Sequence, residues 1–592
     1  MKIGPCKAGQ HEPAAPASPG AIGSSVVSTG PRIPRRWLAA FSVVAVVLPA
    51  GGVRHEGTAP GGHTTARRET LYTSGTSSGP PTNFNPLAAT SYTGSQGLLY
   101  EPLFLYDPVH SRFIPWLASS GGWATPTIYR LEVRSGVSWV SSRSGSVTGA
   151  LRGADVVYSI KLAVSDAADP YHTDVASVRS AIAVGQTVTV RFAGPVGYAQ
   201  WQDYLWHSPV LPEAVWSRLP PGRQVSAPNL APVSTGPMLL ATTRPTEACY
   251  RDNPHWWGTA QLGLSFKFEY LCNVVRGSSG AELSDLLNGN IDWSNELLRG
   301  VPDLADAYGI KTYYDGAPYM LPASTAWLQL DTARAPMSSA DFRKAVAYAL
   351  DPAAIVSGVY AGAVKVANPT GLLPGLAAFI NRRVVHRYAF HYSTSLARKY
   401  LAKSGYRRQD LTLEVPQGWE DLLDAATMIC VQLGKVGIHV TVRAVSLRAR
   451  DADVAVGNYE MVINMAVGPS PTPWAYFEDV YALPVTAEQV TGANTERFSS
   501  PAAWSLVEQA AATPTTDTAA LRNTYSKLEG DFLQDLPEIP LWYPGAWFQA
   551  NTAHWQDYPA SSSPRDQYTP VMWPGWLGST TTVYALAELK PR

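Results

Sequence analysis

The sequence predicts an α/β protein with more than one domain, and three observations support that fold class. The chain has 592 residues, which is more than one ordinary hydrophobic core accommodates. Its composition, with 45% hydrophobic and 16% charged residues, is typical of a globular protein. Segments with helical apolar spacing are repeatedly followed by a glycine and then by a strand-like segment, a rhythm that indicates α/β units.

The individual elements follow from the spacing of apolar residues. Asp341 to Ala349 predicts a helix, because Phe342, Ala345 and Val346 fall on one face. Strands are predicted where apolar residues alternate with polar ones or form a short run. The further elements predicted in this way are strands at 129–133, 187–192, 411–415 and 438–442 and helices at 395–403 and 419–433.

The N-terminal region carries the pattern of an export signal. Arg35-Arg36 precedes an apolar run at 37–48, and small residues follow at 50–52. The run is short for a membrane span. We therefore predict an exported protein at the periplasmic or extracellular face of the cell envelope, with residues 1–68 forming a signal region and a disordered linker. Because no Cys follows the run, the sequence does not favour a lipid anchor.

Charge and motif content argue against several functional classes. Lys+Arg and Asp+Glu both number 46, so there is no basic field to hold a nucleic acid. The 11 His form no i, i+4 pair, and the chain has no P-loop and no HExxH motif. We therefore predict no metal, no cofactor and no catalytic residue. The alternative from another class is a secreted glycan-active enzyme that uses two carboxylates. Asp303 and Asp306 are such a pair, although their spacing is also that of a solvated helix face.

The cysteines bear on compartment and on stability. None lies in a CxxC pair, which argues against a zinc or redox site. Cys430 lies in an apolar helical segment and is predicted to be a buried thiol. Cys249 and Cys272 end or interrupt strand-like segments. A disulfide between them is compatible with export, and the sequence leaves the pairing open.

Short motifs run in order through nearly all of the chain after about Thr70. The motifs are Asn85-Pro86-Leu87, Leu-Tyr-Glu-Pro-Leu at 99–103, Pro-Trp-Leu-Ala at 115–118, Leu-Glu-Val-Arg-Ser-Gly-Val-Ser-Trp at 131–139, Ala-Asp-Val-Val-Tyr-Ser at 154–159, Thr-Gly-Pro at 235–237, Asn-Pro-His-Trp-Trp-Gly at 253–258, Leu-Leu-Asn-Gly-Asn-Ile-Asp at 286–292, Asp-Phe-Arg-Lys-Ala at 341–345, Val-Gly-Ile at 436–438 and Leu-Pro-Glu-Ile-Pro-Leu at 536–541. On these residues the chain resembles the family 5 extracellular solute-binding proteins. That family serves ABC importers of oligopeptides, dipeptides, nickel chelates and some oligosaccharides.

The resemblance implies a two-lobed periplasmic-binding-protein-like fold (type II, cluster C) with an extra domain in one lobe and a hinge between the lobes. Lobe I is expected at 69–100, 212–322 and 531–592, the extra domain at 101–211, and lobe II at 323–530. Ligand binding between the lobes would stabilise a closed form. The partners implied are a small-molecule ligand and the membrane-embedded permease subunits of an ABC importer. We expect the protein to be a monomer and to catalyse no reaction.

The resemblance also bears on peptide binding. Peptide-binding members hold the ligand's α-ammonium with an Asp in a segment like G-D-x-x-D-P-x-x-F. The matching segment here begins at Gly468, and Pro469 or Ser470 falls where that Asp is expected. A neutral hydroxyl does not replace a carboxylate opposite an ammonium. Glu478 or Asp479 would take the role if the loop were shifted by a few residues.

Two features resemble the oligosaccharide-binding branch of the family. Pro-Gln-Gly-Trp at 416–419 is similar to a turn of that branch, and its Trp419 would stack on a sugar ring. Ser470, Thr472 and Trp474 offer hydroxyls and a second aromatic face to a neutral polyol. The competing interpretations are a core contact at a helix start for Trp419 and loop packing for Trp474.

Ser91 and Tyr92 lie in the first loop after Asn85-Pro86, where ligands of the family commonly touch the first lobe; an ordinary exposed loop is the alternative. The sequence thus favours a neutral oligosaccharide as ligand, with a peptide as the alternative. The candidate ligand-binding residues are Ser91, Tyr92, Trp419, Gly468, Ser470, Thr472 and Trp474.

Overall fold

The computed structural model describes residues 67–75, 80–193, 197–466, 468–486, 493–563, 565, 567–573 and 575–592. The predicted signal and nearly all of the predicted linker, residues 1–66, lie outside this part of the chain. Within it, no helix combines the length and the apolar composition that a membrane span requires.

One six-stranded sheet is the centre of lobe I. From edge to edge its strands are β11 (Met238–Arg244), β12 (Glu247–Asp252), β13 (Tyr270–Val274), β1 (Thr70–Ser74), β14 (Trp293–Ser294) and β23 (Gln549–Ala550). Strand β1 runs parallel to both β13 and β14. Cys249 and Cys272 lie directly opposite each other on β12 and β13 and form a disulfide, which confirms the pairing that the sequence left open.

A second six-stranded sheet is the centre of lobe II. From edge to edge its strands are β17 (Lys365–Val366), β21 (Glu538–Tyr543), β16 (Ala326–Leu330), β20 (Met461–Met465), β18 (Leu411–Pro416) and β19 (Val440–Val445). Strand β18 runs parallel to β19 and β20, and β16 is antiparallel to β20 and β21. The residue limits of the lobes stay a prediction, but β21 pairs in this sheet although we expected 531–592 in lobe I.

A smaller β structure forms the segment expected as the extra domain. Its four-stranded antiparallel sheet has the order β4 (Ala118–Thr125), β5 (Ile128–Val133), β9 (Thr187–Phe192) and β8 (Val178–Val184). Two smaller sheets join it to its surroundings. They are β10 (Val233–Ser234) with β6 (Ser138–Ser141) and β7 (Val147–Ala150), and β2 (Phe104–Asp107) with β3 (Arg112–Pro115).

Two chain segments that cross between the lobes pair with each other. Strand β15 (Leu321–Pro322) leads into lobe II, and β22 (Gly545–Ala546) leads back to lobe I. Their antiparallel pairing places the two crossings side by side, as expected for a hinge. Near the C-terminus, β24 (Trp555–Gln556) pairs with β25 (Lys590–Pro591).

Helices pack around the sheets, and several of them begin at a residue whose side chain caps the first turn. In chain order they are α1 (Gly153–Ser165), α2 (Tyr198–His207), α3 (Glu213–Trp216), α4 (Trp257–Leu262), α5 (Ser279–Leu287), α6 (Val301–Tyr308), α7 (Ala340–Ala349), α8 (Pro352–Tyr360), α9 (Arg382–Tyr388), α10 (Thr394–Lys403), α11 (Glu420–Gly434), α12 (Leu447–Val456), α13 (Trp474–Tyr481), α14 (Pro501–Ala511), α15 (Thr518–Asp535), α16 (Trp576–Ser579) and α17 (Thr582–Glu588). Ser339 and Ser393 accept hydrogen bonds from the first turns of α7 and α10. The predicted helices at 341–349, 395–403 and 419–433 are thereby confirmed to within one residue at each end.

Candidate ligand-binding site

Parallel strands of both lobes end at edges from which loops reach the space between the lobes. In lobe I, β1 and β14 end at Ser74 and Ser294. In lobe II, β18 and β20 end at Pro416 and Met465. Ligands of open α/β sheets bind in the crevice outside the carboxyl ends of the strands. This topology makes the loops that follow these strands the candidate site.

Several contacts cross from one lobe to the other and define a closed arrangement. The Arg299 Nη2 in lobe I lies 2.9 Å from the Asp424 Oδ2 on α11. The Tyr106 hydroxyl donates to the carbonyl of Ser470 at 3.4 Å. The Ser111 hydroxyl, in the segment expected as the extra domain, donates to the carbonyl of Gly375 at 3.2 Å.

Gly468 packs against an aromatic ring from the C-terminal segment. A Cβ placed on Gly468 would lie 2.9 Å from Cζ2 of Trp576, closer than real Cβ contacts come. Trp576 in turn packs edge-to-face on Trp573, with the ring centroids 5.4 Å apart. The Trp573 Nε1 donates to the carbonyl of Asn295 in lobe I at 3.2 Å. Only a glycine allows the lobe II loop to approach this pair so closely.

The rest of the predicted loop is largely buried in the closed arrangement. Ser470 and Thr472 are 9% and 7% exposed, and Trp474 is 3% exposed. The Thr472 hydroxyl accepts a hydrogen bond from the backbone N–H of Trp474 at 3.4 Å. Trp474 begins α13 and belongs to an apolar cluster with Phe477 and Tyr525. The structure therefore gives Trp474 a packing role, and its contact with ligand stays a prediction.

Ser91 and Tyr92 lie in lobe I, apart from the loop of Gly468. Tyr92 is 4% exposed and packs edge-to-face on Phe84. Its hydroxyl accepts a hydrogen bond from the Asn273 amide on β13 at 3.1 Å. Tyr92 is thus part of the lobe I core, and a role in ligand binding for either residue stays a prediction.

Trp419 is the predicted aromatic residue that stays partly exposed at the candidate site. It is the N-cap residue of α11, directly after β18. Together with Pro416 and Asn464 it lines a small cavity at the carboxyl edge of the lobe II sheet. Arg450, on α12, lines the same cavity. Of the predicted residues, Gly468, Ser470 and Thr472 lie on one loop that leads into α13 at Trp474, and Trp419 lies in the turn between the neighbouring β18 and α11.

Sequence reasoning missed Arg450, Trp573, Trp576 and Glu296. Arg450 lies in a polar helical segment that reads as a surface helix, and Trp573 and Trp576 lie in a Pro/Gly-rich segment without periodicity. Glu296 lies two residues after β14 and four residues after the end of the motif at 286–292, and no pattern in the sequence singled it out. Trp573, Trp576 and Glu296 are distant in sequence from the predicted loop, and Arg450 lies on a separate helix, so only the tertiary structure reveals them.

Carboxyl groups sit at the lobe I edge. Glu282 accepts hydrogen bonds from the hydroxyls of Ser74, at 2.6 Å, and Ser294. Burial, the largest cause, and the neighbouring Glu282 together raise the pKa of Glu296 to about 7. The side chain of Glu296 lies against Gly75, the residue that follows β1. Among the described residues, no group of His, Cys, Asp and Glu has the arrangement of a metal site.

Comparisons with known proteins agree on one kind of protein. The family model described as bacterial extracellular solute-binding proteins, family 5 Middle, matches residues 112–484. A probable ABC transporter periplasmic-binding protein, SapA of Escherichia coli (strain K12), is 23% identical over 500 residues, which cover 78% of this chain and 85% of SapA.

A solved structure is more similar. The periplasmic oligopeptide-binding protein of an oligopeptide ABC transporter from Thermotoga maritima is 32% identical, with a TM-score of 0.84, over 89% of this chain and 100% of that chain. A second structure of the Thermotoga maritima protein, with mannohexaose bound, has a TM-score of 0.80 over the same shares of both chains.

Proposed function

Because the chain belongs to the bacterial extracellular solute-binding proteins, family 5, we propose that it captures a neutral oligosaccharide outside the cell and delivers it to an ABC permease. The family consists of solute-binding components of ABC importers, and the chain has their two-lobed fold. We further propose that the protein is exported, acts as a monomer and catalyses no reaction.

The observation that carries the choice of ligand is the composition of the loop at 468–474. It reads Gly-Pro-Ser-Pro-Thr-Pro-Trp and contains no ionisable side chain. A buried peptide ammonium needs a carboxylate partner, because an unpaired buried charge is strongly destabilising. Hydroxyls and an aromatic face, in contrast, suit the hydroxyls and C–H faces of a sugar. The mannohexaose bound to the Thermotoga maritima relative supports this choice.

Closure of the two lobes would signal that the site is filled. The paired crossing strands β15 and β22 would serve as the hinge, and the closed arrangement packs Gly468 against Trp576. A ligand that touches both lobes binds the closed form more tightly and therefore increases its population. The permease would then recognise the surface that only the closed form presents.

A peptide is the second candidate, and Glu296 is the observation that favours it. Its carboxyl group is partly buried at the lobe I edge, and no cation pairs with it among the described residues. Burial and the neighbouring Glu282 raise its pKa, and a cation bound beside it would lower the pKa and favour the charged form. Asp479, an earlier candidate for this role, instead lies close to the buried Glu496 and Glu538.

Isothermal titration calorimetry distinguishes the two ligands. The secreted protein would be titrated with mannohexaose, with cellohexaose, and with pentapeptides whose amino termini are free or acetylated. We expect binding of a hexasaccharide and none of either peptide. Binding of the free pentapeptide alone, with loss of affinity in Glu296→Gln and not in the exposed-site control Glu132→Gln, would overturn the oligosaccharide proposal in favour of a peptide.

A further inference from the structure

A small cavity lies at the carboxyl edge of the three parallel strands of lobe II. Pro416 and Met465 line it, and they are the last residues of β18 and β20. Leu447, the first residue of α12, lines it where the chain has just left β19. The cavity therefore lies at the sheet edge where α/β proteins bind ligands. The adjacent α11 contacts lobe I through Arg299, so this edge lies on the interlobe side.

Arg450 is held in one orientation beside this cavity. Its side chain is 7% exposed. Its Nη2 donates to the carbonyl of Ile463 at 3.0 Å and to Asn464 Oδ1 at 2.8 Å. Its Nη1 donates to Asp451 Oδ1 at 2.9 Å. These three contacts fix the guanidinium plane and leave no hydrogen on Nη2 for another acceptor.

Two of the five guanidinium N–H groups remain, the second hydrogen of Nη1 and Nε–H, and the Nε–H is the one that matters here. It is buried and has no acceptor in the part of the chain that the structure describes. An unsatisfied buried donor is costly, and in native proteins it marks a place where a water or a ligand belongs. Because Arg450 lines the cavity, an acceptor placed there would satisfy this donor.

The free Nε–H of Arg450 and the volume of the cavity both limit the ligand group to a single oxygen atom. Side-on recognition of a carboxylate uses Nε and Nη2 together, and Nη2 is already occupied by Ile463 and Asn464. The cavity volume is about 20 Å³, which is the space for one water-sized group. Asp451 also repels an anion beside Arg450. A hydroxyl group meets these limits, and a carboxylate does not.

An aromatic wall completes the cavity. Trp419 lines it and stays partly exposed. A sugar ring that lies against the indole can direct one hydroxyl or hydroxymethyl group into the small cavity. A neutral sugar can satisfy both groups at once, because its ring packs on the indole while one of its hydroxyls accepts a hydrogen bond from Arg450.

We propose that Trp419 and Arg450 form a subsite for one ring of a neutral sugar, in which the Arg450 Nε–H donates to a single hydroxyl and excludes acidic sugars. This inference rests on the proposed oligosaccharide function and adds to it a second contact residue and a selectivity. Arg450 is a binding residue in this scheme, and Asp451, Ile463 and Asn464 position it.

Calorimetry with mannohexaose and hexamannuronate tests the subsite. The two probes have the same length, but each hexamannuronate ring carries a carboxylate in place of the hydroxymethyl group. We expect the wild-type protein to bind mannohexaose at least about 10-fold more tightly. We expect Arg450→Lys, which lacks Nε–H, to weaken mannohexaose binding about 10- to 100-fold, the cost of a hydrogen bond to a charged group. The matched control is Arg448→Lys, an exposed position on the same helix, which should bind as wild type does.

Trp419→Ala should weaken binding more than Trp419→Phe, while Trp504→Ala, a partly buried tryptophan on α14, should leave it unchanged. Equal affinity for the two probes, or wild-type affinity in a folded Arg450→Lys, would overturn the subsite and leave the oligosaccharide function standing. Binding of a peptide and of neither sugar would overturn both. The probe comparison uses wild-type protein alone, so it decides the question even if Arg450→Lys does not fold.

Discussion

The indole Nε1 of Trp257 donates a hydrogen bond to the carboxylate of Glu101 at 3.1 Å. The same carboxylate accepts from the indoles of Trp116 and Trp256, at 2.9 and 3.2 Å, and from the Thr235 hydroxyl at 2.7 Å. Burial raises the pKa of Glu101 to about 7, although all four donors favour the charged form. One buried side chain thereby joins the segments around Trp116, Thr235 and Trp256-Trp257.

Replacing Glu101 with Gln should destabilise the protein. The amide nitrogen cannot accept hydrogen bonds, so it would leave at least one buried indole N–H without an acceptor. We expect the free energy of unfolding to fall by about 2 to 4 kcal/mol, measured by urea denaturation. The control is Glu132→Gln, because Glu132 is exposed on β5. A loss in Glu101→Gln no larger than that of the control would show that the hydrogen bonds to Glu101 contribute little.

Removing the Cys249–Cys272 disulfide should also destabilise lobe I. The two cysteines are 23 residues apart, and closing a loop of that length stabilises a protein by about 3 kcal/mol. We expect the double variant Cys249→Ser/Cys272→Ser to have a lower melting temperature than the wild type. Dithiothreitol should lower the melting temperature of the wild type and leave that of the double variant unchanged. A wild type that is insensitive to dithiothreitol would contradict this expectation.

Acidic residues buried in lobe II should make stability depend on pH. Burial raises the pKa of Glu496 well above its usual value, and the charge of Asp479 raises it further. The charge of Arg497 acts in the opposite direction and lowers this pKa. Burial likewise raises the pKa of Glu538, and Glu496 and Asp479 add to this. The folded state therefore binds protons more tightly than the unfolded state. The resulting contribution to the free energy of unfolding is fully present at pH values below 4.5, the pKa of these groups in the unfolded chain. It is lost as the pH rises toward their higher pKa values in the folded protein.

The variant Glu496→Gln tests this pH dependence, because its side chain does not ionise. We expect its melting temperature to exceed that of the wild type at pH 8 and the difference to shrink as the pH falls toward 5. Glu508→Gln, at an exposed position on α14, is the control and should follow the wild-type profile. Parallel profiles for Glu496→Gln and the wild type between pH 5 and 8 would rule out the buried acid as the cause.

Enlarging Gly468 should oppose closure of the lobes. The added methyl of Gly468→Ala would lie 2.9 Å from the Trp576 ring, and such overlap costs about 1 to 3 kcal/mol. We expect mannohexaose affinity to fall about 5- to 100-fold and the ligand-dependent decrease in the radius of gyration, measured by X-ray scattering, to diminish. Gly434→Ala, where the added methyl meets no atom within 4 Å, is the control. Unchanged affinity would show that the Gly468–Trp576 contact is not needed for binding.

Local patterns in the sequence were sufficient for the elements with regular apolar spacing, although the strand predicted at 438–442 is observed at Val440–Val445. The helix predicted at 341–349 is observed at Ala340–Ala349, and the strand predicted at 187–192 is observed at Thr187–Phe192. Apolar periodicity and capping side chains act within a few residues, so they can be read without knowing the fold. The order of the family motifs likewise sufficed for the two-lobed fold, since each motif marks a turn or a core position of the scaffold.

The sequence by itself determined the helices and strands with regular apolar spacing, the fold class and the absence of charge from the loop at 468–474. Only the tertiary structure distinguished Trp419 from Trp474. Both residues lie where a loop meets a helix, yet Trp474 packs in the lobe II core, and Trp419 stays partly exposed beside Arg450. Whether an aromatic residue at a helix start is covered depends on which distant segments pack on it, and those contacts join residues far apart in the chain.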